Sequence, residues 1–441
     1  MPEARVLTVD DAQSVAAALR QPAPATIAVV GLGYVGLPTA LALHAAGAPV
    51  IGIDVSEQRL RAIRAADVDL PISDIERLDT ALGDDGSMRL SSIPAAVAAA
   101  DAVIICVPTP VDEARRPDPR ALNAACANAV AHARAGQTLV LTSTISVGST
   151  RELLVEPLER RGLRVGEDVF VAFAPERILP GDPTVAQSTV PRVVGGATPR
   201  CAEITQELLA PTAGRLHVVS SLEAAEFTKL YENTFRAVNL AFANEMATVS
   251  GHLGLDPVEI IDAAATKPYG FLAHYPGPGV GGHCIPVDPY YLLEPLREAG
   301  VRAAIAEEAM EQIEARPSVV ARRALDLLRQ LSVEWDEATA LVVGMAYKPG
   351  VADARESPGL AIADELARAG VDVAFHDPRV KQVRMSDGSM LRSVPRPSSA
   401  AFDIVVVTAL HGGAEREWLA QCDHVLDATY RAPLGRHRHV V

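Results

Sequence analysis

Residues 27–54 read IAVVGLGYVGLPTALALHAAGAPVIGID, and this stretch decides the fold. An apolar run leads into Gly31, Gly33 and Gly36 in the pattern G-x-G-x-x-G, and a helical segment and a second apolar run ending at Asp54 follow. In such a unit the first glycine permits a tight turn, the second lets the backbone approach a pyrophosphate, and the third lets helix and strand pack closely. The stretch therefore predicts a Rossmann-like βαβ unit that binds a dinucleotide.

The side chains around this glycine turn indicate which dinucleotide binds. Asp54 should accept hydrogen bonds from the adenosine ribose hydroxyls, and its carboxylate repels a 2′-phosphate, so NAD is favoured over NADP. Tyr34 and Val35 lie within the turn and are expected to contact the cofactor. Arg59 leaves the choice open, because it could meet a phosphate or stack nearby. The alternative interpretation is a glycine turn that binds no ligand.

Strands and helices alternate along most of the remaining chain. Apolar strand patterns separated by helical segments continue to residue 195, and the same alternation returns over residues 340–408. Between them, helical patterns dominate without strand signals. The predicted fold class is α/β, with two Rossmann-like, doubly wound parallel-sheet domains joined by a long central helical region. The predicted boundaries are 1–24 for an N-terminal extension, 25–215 for the NAD-binding domain, 216–333 for the central region and 334–441 for the C-terminal domain.

Charge and cysteine content narrow the function. The 441-residue chain has a net charge of −15, which argues against nucleic acid as a partner, because binding phosphates needs a basic face. Its five cysteines form no C-x-x-C pair, so we expect no disulfide framework, no metal site and a cytoplasmic location. No secretory signal or membrane span is expected. The four lysines, Lys229, Lys267, Lys348 and Lys381, either survive an arginine-rich composition by chance or mark positions that need an ammonium group.

The loop Gly277-Pro-Gly-Val-Gly-Gly-His-Cys284-Ile-Pro-Val-Asp288 gives the strongest local sign of chemistry. Four glycines around one cysteine form no regular element and let the backbone approach another group. The other cysteines lie in strand or helical patterns typical of small core residues. Cys284 alone lies in a polar, kinked loop, where a thiol can be exposed and activated. The alternative is a glycine-rich turn in which the cysteine is incidental.

Further side chains are candidates to act with this thiol. Lys229 and Asn233 are four residues apart and share a helix face, where they could hold an oxyanion and favour the thiolate. By spacing alone, a solvated helix face is the alternative. Glu176 follows a strand end and could be a general base or merely pair with Arg177. Thr144 also closes a strand and could hold a water molecule or the cofactor.

Taken in order, these motifs resemble the UDP-glucose/UDP-N-acetylmannosamine dehydrogenase family of nucleotide-sugar 6-dehydrogenases, from about Thr26 to Tyr430. Further matching pieces are Val107-Pro108-Thr109-Pro110, Ser143-Thr144 with Val147-Gly148, Pro175-Glu176, Gly344 with Tyr347-Lys348-Pro349, and Asp353-Ala354-Arg355-Glu356-Ser357-Pro358. The resemblance implies a homodimer that binds a nucleotide sugar and oxidises its C6 hydroxymethyl to a carboxylate. It also implies a thiohemiacetal and a thioester on Cys284, with two NADH formed.

The resemblance assigns roles to individual residues. Cys284 would be the nucleophile, Lys229 and Asn233 would stabilise the oxyanion, and Thr144, Glu176 and Asp288 would handle water and protons. Besides the glycine turn, cofactor contacts are implied for Pro108, Thr109, Thr144 and Arg355. Substrate contacts are implied for Glu176, Arg177, Leu179, Lys229, Asn233, Tyr275, Gly281 and Lys348, and for Lys267, which would reach the substrate of a neighbouring subunit.

Two positions depart from the glucose-type pattern of this family. Pro180 stands where those members have an acidic residue, and Val287 stands where they have a lysine. The sequence thus resembles the N-acetylhexosamine branch, with UDP-N-acetylglucosamine or UDP-N-acetylmannosamine as the expected substrate and UDP-glucose or a dTDP-sugar as the alternative. Rival functions are a two-electron dehydrogenase in which Cys284 is idle and a non-catalytic sensor of NAD or a nucleotide sugar.

Overall fold

The computed structural model describes residues 25–68, 70, 72–83, 87–177, 189–398, 401–432 and 437–441. The predicted N-terminal extension and the predicted substrate contact Leu179 lie outside these residues. In the part of the chain that is described, no helix is long and apolar enough to cross a membrane.

The first half of the chain forms an eight-stranded sheet. Its strands are β1 Ile27–Val30, β2 Val50–Ile53, β3 Met88–Ser91, β4 Ala102–Ile105, β5 Thr138–Leu141, β6 Phe170–Phe173, β7 Arg192–Gly196 and β8 Leu216–Val219. Their order is β3-β2-β1-β4-β5-β6-β7-β8, and neighbours run parallel except for β6 and β7. In a doubly wound sheet of this order, the dinucleotide crevice lies where β1 and β4 diverge.

Helices cover both faces of this sheet. They are α1 Gly36–Ala45, α2 Glu57–Arg64, α3 Ile72–Ala81, α4 Arg120–His132, α5 Glu156–Arg160 and α6 Pro199–Leu209. Ile104 and Ile105 are neighbours in β4, and their side chains enter two separate hydrophobic cores because successive strand residues point to opposite faces. The run of apolar residues in β4 therefore reflects burial on both sides.

Long helices form the central region. They are α7 Leu222–His252, α8 Pro257–Ala265, α9 Asp288–Glu298 and α10 Ala304–Gln330. The Ser221 hydroxyl caps α7 by accepting a hydrogen bond from the backbone N–H of Ala224. Ala237 and Ala241 of α7 share a buried cluster with Met310 of α10, so small side chains let the two helices approach closely. This packing fixes α7, which carries Lys229 and Asn233.

The C-terminal part forms a second parallel sheet. Its strands are β9 Thr339–Val343, β10 Asp372–His376, β13 Ile404–Val407, β14 His424–Asp427 and β15 His437–Val440, with helices α11 Pro358–Arg368 and α12 Gly413–Leu419 and a hairpin of β11 Gln382–Arg384 and β12 Met390–Arg392. The order is β10-β9-β13-β14-β15, and every pair is parallel. The predicted fold class is confirmed.

Candidate active site

The glycine turn has the geometry that its sequence predicts. Gly31 has φ +87°, and a Cβ there would lie 2.7 Å from the carbonyl oxygen of Cys106. A Cβ at Gly36 would lie 1.7 Å from the carbonyl oxygen of Gly31, so only glycine fits either position. At Gly33, by contrast, a Cβ would have no atom within 4 Å among the described residues. The turn therefore leaves open space where a pyrophosphate would approach.

Asp54 and Arg59 hold the turn in place. The Asp54 carboxylate accepts hydrogen bonds of 2.9 Å from the backbone N–H groups of Leu32 and Ser56. Arg59 Nε donates to the carbonyl oxygen of Leu32 at 2.8 Å. Val35 precedes helix α1 and gives it no side-chain cap, which leaves backbone N–H groups for a phosphate. These features fit a dinucleotide.

Arg355 lies against the glycine turn, although it belongs to the C-terminal part of the chain. Its guanidinium carbon is 5.1 Å from the ring centroid of Tyr34, and its side chain pairs with Asp353 at 2.6 Å. The His283 ring is 6.3 Å from the Tyr34 ring, centroid to centroid. Tyr34 thus joins the predicted cofactor turn to both Arg355 and the residue before Cys284.

The glycines of the cysteine loop let it pack on the C-terminal segment 347–358. A Cβ at Gly281 would lie 2.6 Å from both the carbonyl oxygen of Glu356 and Cβ of Tyr347, and one at Gly282 would lie 2.8 Å from the Tyr347 ring. The Gly282 N–H also donates to the carbonyl oxygen of Arg355 at 3.1 Å. The group that the loop approaches is therefore another part of this chain.

Cys284 lies in this loop, four residues before α9 begins at Asp288, and is partly exposed. Burial and the nearby Asp288 carboxylate raise the pKa of the thiol. Lys229, Arg236 and Lys348 act in the opposite direction, as the sequence suggests, but they do not outweigh the burial. Lys229 thus acts on the thiol in the predicted direction, but burial outweighs it, and the thiol needs a base to accept its proton.

Asp288 lies beside the thiol at the start of α9. Its side chain accepts hydrogen bonds from Asn233 Nδ2 at 2.5 Å and from Thr144 Oγ1 at 3.4 Å, and the residue is only 2% exposed. Burial raises the pKa of Asp288 to about 6, although Lys229, Asn233 and Thr144 favour the ionised form. A carboxylate with such a pKa can accept and release protons near neutrality.

Lys229 and Glu176 meet through the backbone. Lys229 Nζ donates to the carbonyl oxygen of Glu176 at 3.0 Å, which leaves two ammonium protons for another acceptor. The buried Glu176 carboxylate pairs with Arg192 Nη2 at 2.5 Å, whereas the Arg177 guanidinium pairs with Glu232 at 2.6 Å. Sequence reasoning missed Arg192, and its one available signal is a charged residue opening the apolar strand β7.

The remaining predicted residues surround this centre. Pro108 and Thr109 lie in the turn after β4, where Ser143 Oγ donates to the carbonyl oxygen of Val107 at 2.7 Å. Lys348 Nζ is 5.7 Å from the Tyr347 ring centroid. Tyr275 donates to Asp262 at 2.7 Å, and exposed Lys267 lies 5.1 Å from the Tyr269 ring centroid. The contacts among the described residues do not join Tyr275 or Lys267 to Cys284.

Three family models match consecutive parts of the chain. The NAD binding domain of the UDP-glucose/GDP-mannose dehydrogenase family matches residues 25–213, its central domain matches 223–314, and its UDP binding domain matches 341–425. An NDP-N-acetyl-D-galactosaminuronic acid dehydrogenase of Ralstonia solanacearum is 34% identical over 88% of this chain and 90% of its own length. The chain belongs to the UDP-glucose/GDP-mannose dehydrogenase family. It is therefore an oxidoreductase, a nucleotide-sugar dehydrogenase with the NAD-binding domain of that family.

Other members of the family show the same relationship. The UDP-N-acetyl-D-mannosamine dehydrogenase of Escherichia coli K12 is 34% identical over 78% of this chain and 83% of its own length. The solved structure of a UDP-D-ManNAc dehydrogenase from Pyrococcus horikoshii has a TM-score of 0.84 at 29% identity and covers 94% of this chain and 98% of that chain. The predicted family and its N-acetylhexosamine branch are confirmed.

Proposed function

We propose that this dehydrogenase oxidises the C6 hydroxymethyl of a UDP-linked N-acetylhexosamine to a carboxylate in two NAD-dependent steps. The observation that carries the proposal is the grouping of the partly exposed Cys284 with Lys229, Asn233 and Asp288, beside a loop that contacts the cofactor turn. The UDP binding domain and the N-acetylhexosamine enzymes among its relatives support this class of substrate. UDP-glucose or a dTDP-sugar is the alternative substrate.

The residues that would hold NAD surround the glycine turn. Gly33 leaves room for the pyrophosphate, Asp54 stands at the ribose position, and Arg355 closes the other side through Tyr34. When bound, NAD accepts a hydride from C6 at each of the two oxidations. Lys229 and Asn233 would donate hydrogen bonds to the C6 oxygen as negative charge develops on it.

Cys284 captures the aldehyde that the first oxidation leaves. Its sulfur forms a bond to C6 while the thiol proton passes to a base, and protonation of the C6 oxygen gives a thiohemiacetal. The second oxidation converts this group to a thioester. Water then adds to C6, the C–S bond breaks, and the carboxylate leaves as the thiol is restored. Thioester hydrolysis makes the overall reaction effectively irreversible.

Asp288 is the better candidate for the base that activates the water molecule. Its pKa of about 6 suits proton transfer near neutrality. Glu176 is instead held by Arg192 in a buried pair in which both side chains are 6% exposed. The Arg192 guanidinium therefore occupies the Glu176 carboxylate, so we assign Glu176 to holding Lys229 through its backbone oxygen.

A panel of nucleotide sugars tests the proposed function. UDP-N-acetylglucosamine, UDP-N-acetylmannosamine, UDP-glucose and dTDP-glucose are each incubated with excess NAD, and NADH absorbance and remaining sugar are measured. We expect at least one UDP-N-acetylhexosamine to give two NADH per sugar, with kcat/KM about tenfold or more above that of UDP-glucose. One NADH per sugar would indicate a two-electron dehydrogenase in which Cys284 is idle. Binding of NAD and the nucleotide sugar without turnover would indicate a non-catalytic sensor.

Two further expectations from the sequence remain proposals. All five cysteines are free thiols, which supports a reducing, cytoplasmic location. A homodimer is supported by an exposed apolar stripe on α7.

A further inference from the structure

The C-terminal sheet repeats the geometry of the cofactor turn. Gly344 follows β9 with φ +94°, as Gly31 follows β1 with φ +87°. A Cβ at Gly344 would lie 2.3 Å from the carbonyl oxygen of Ala409, and a Cβ at Gly359, at the start of α11, would lie 2.6 Å from that of Gly344. Gly36 stands in the same relation to Gly31. The two sheets therefore begin with the same strand–turn–helix construction.

Asp377 takes the place in the second sheet that Asp54 takes in the first. Asp377 Oδ2 accepts from the N–H of Met345 at 2.8 Å, and Oδ1 accepts from the N–H of Arg379 at 2.7 Å. Asp54 makes the matching bonds to the residue after Gly31 and to the residue two positions after itself. This correspondence places the end of β10 where a Rossmann-like sheet meets a ribose.

Unlike Asp54, Asp377 is buried from solvent. Its side chain is completely buried, and Oδ2 also lies 3.1 Å from His411 Nε2. Burial opposes its ionisation, but the hydrogen bonds from His411 and from backbone N–H groups outweigh it and hold the pKa of Asp377 at about 2. The carboxylate therefore stays charged and occupied. The first side chain available to a ligand at this point is Arg379, two residues further along.

A cleft of about 810 Å³ lies at this position, outside the carboxyl ends of β10 and β13. One wall is aromatic, because the partly buried Trp418 ring meets the His376 ring edge to face at 6.2 Å between centroids. Pro378 and Pro395 add apolar surface. Clefts at the carboxyl edge of open parallel sheets are where such folds bind ligands.

The polar groups of the cleft point to an anion that also carries hydrogen-bond donors. Arg379 and Arg396 line it, both exposed, and neither has an ion-pair partner among the described residues. Glu415 is 6% exposed; one of its oxygens accepts from the backbone N–H groups of His411 and Gly412, at 2.5 and 3.2 Å. Its other oxygen is buried and has no hydrogen-bond partner in the described part of the chain.

We propose that this cleft binds a phosphorylated nucleoside, at a site separate from the NAD turn and from Cys284. Arg379 stands near the strand end where related folds place an arginine for a 2′-phosphate, and Arg396 would share the phosphate with it. The base would stack on Trp418, since every nucleobase has a flat face that an indole can contact. A hydroxyl or amino group of the ligand would donate to Glu415. The inference goes beyond the proposed oxidation and does not depend on it.

Tryptophan fluorescence tests the proposal directly. The chain has two tryptophans, so Trp335→Phe leaves Trp418 as the reporter. UMP, AMP and inorganic phosphate are titrated separately into this variant. We expect saturable quenching by at least one nucleotide, and phosphate should bind about tenfold or more weakly because it cannot stack. Equal binding of phosphate and both nucleotides would overturn the nucleoside assignment.

A matched pair of double variants separates this cleft from the catalytic site. Arg379→Ala with Arg396→Ala should raise the nucleotide Kd about tenfold or more and leave kcat and KM for the nucleotide sugar unchanged. Arg384→Ala with Arg392→Ala removes the same charge from the exposed β11–β12 hairpin and should leave that Kd unchanged. No saturable quenching, or the same Kd in both double variants, would overturn the proposal, whatever the enzyme oxidises.

Discussion

Cys284 differs from the other four cysteines in its surroundings. Cys106, Cys126, Cys201 and Cys422 are at most 8% exposed, and all but Cys201 belong to hydrophobic core clusters. Cys284 is partly exposed, and charged side chains of α7 and α9 lie near it. A buried thiol in hydrocarbon is inert, whereas a thiol beside a proton acceptor can become a nucleophile. The reactivity of Cys284 therefore depends on how its proton is removed.

Asp288→Asn tests the proton acceptor. The wild-type carboxyl must be ionised to accept a proton, so kcat should rise with pH through about 6, the pKa of Asp288. The asparagine variant should lose about 10²–10³-fold in kcat and lose that pH-dependent limb. The measurement is kcat from NADH formation between pH 5 and pH 8. An unchanged limb in the variant would contradict the assignment.

The thermal stability of Asp288→Asn tests the same assignment independently. Because the pKa of Asp288 rises from 3.8 to about 6 on folding, the folded state binds the proton more tightly than the unfolded state. The free energy of unfolding therefore falls as pH rises across that interval, and the buried charge is destabilising above it. Asp288→Asn should raise the Tm at pH 8 in thermal unfolding monitored by circular dichroism. A lower Tm would mean that lost activity reflects disturbed packing.

At the scale of elements, the loop between β4 and α4 joins the three parts of the chain. Arg115, at its tip, has φ +59° and pairs with Glu314 of α10 at 2.6 Å and with Glu356 at 3.0 Å. Glu356 has φ +49° and follows Arg355, which lies on Tyr34. The two residues of this ion pair both have strained backbone, which indicates that the surrounding structure maintains the contact between them. Arg115 thus positions the segment that closes the cofactor turn.

Arg115→Ala should therefore weaken cofactor binding more than chemistry. These pairs are partly exposed, so we expect KM for NAD to rise about two- to fivefold, with kcat little changed. Arg116→Ala is the matched control, because among the described residues Arg116 pairs only with nearby Asp112, at 2.9 Å. If Arg116→Ala raised the KM for NAD by the same factor, the ion pairs of Arg115 would not be responsible for the effect.

Some contacts of these elements can be predicted from the sequence, and others cannot. The approach of Gly36 to Gly31 and the bond from Leu32 to Asp54 were predictable because both lie within one local βαβ unit. The pair of Arg115 and Glu356 spans 241 residues, and only the folded chain brings it together. The raised pKa of Cys284 was missed for a related reason. Burial is a tertiary property, whereas the helix spacing of Lys229 shows only that a positive charge is near.

At the scale of the whole molecule, α7 has two opposite faces. Phe227, Tyr231, Phe235, Phe242 and Val249 are each 43–62% exposed. At about 100° per residue, they fall within roughly 80° of the helix circumference. Lys229 and Asn233 lie on the opposite side. An exposed apolar stripe of this length fits a second copy of the chain, as the predicted homodimer requires.

Phe235→Glu with Phe242→Glu should separate this dimer into monomers, because two charges on each copy would be buried at the contact. The measurement is molar mass by light scattering after size-exclusion chromatography. Ile305→Glu is the control, since Ile305 is 75% exposed at the start of α10, outside the stripe. If Lys267 reaches the partner's substrate, the monomer should also show a raised KM for the nucleotide sugar. A monomeric wild type would contradict the assembly.

The proposed mechanism is tested by the ratio of NADH formed to nucleotide sugar consumed, measured for the wild type and for Cys284→Ser with mass spectrometry of the products. This mechanism predicts a ratio of two and a uronate for the wild type. For Cys284→Ser it predicts loss of the carboxylate product, because the thioester cannot form. Full four-electron turnover by Cys284→Ser, or a ratio of one in the wild type, would contradict it.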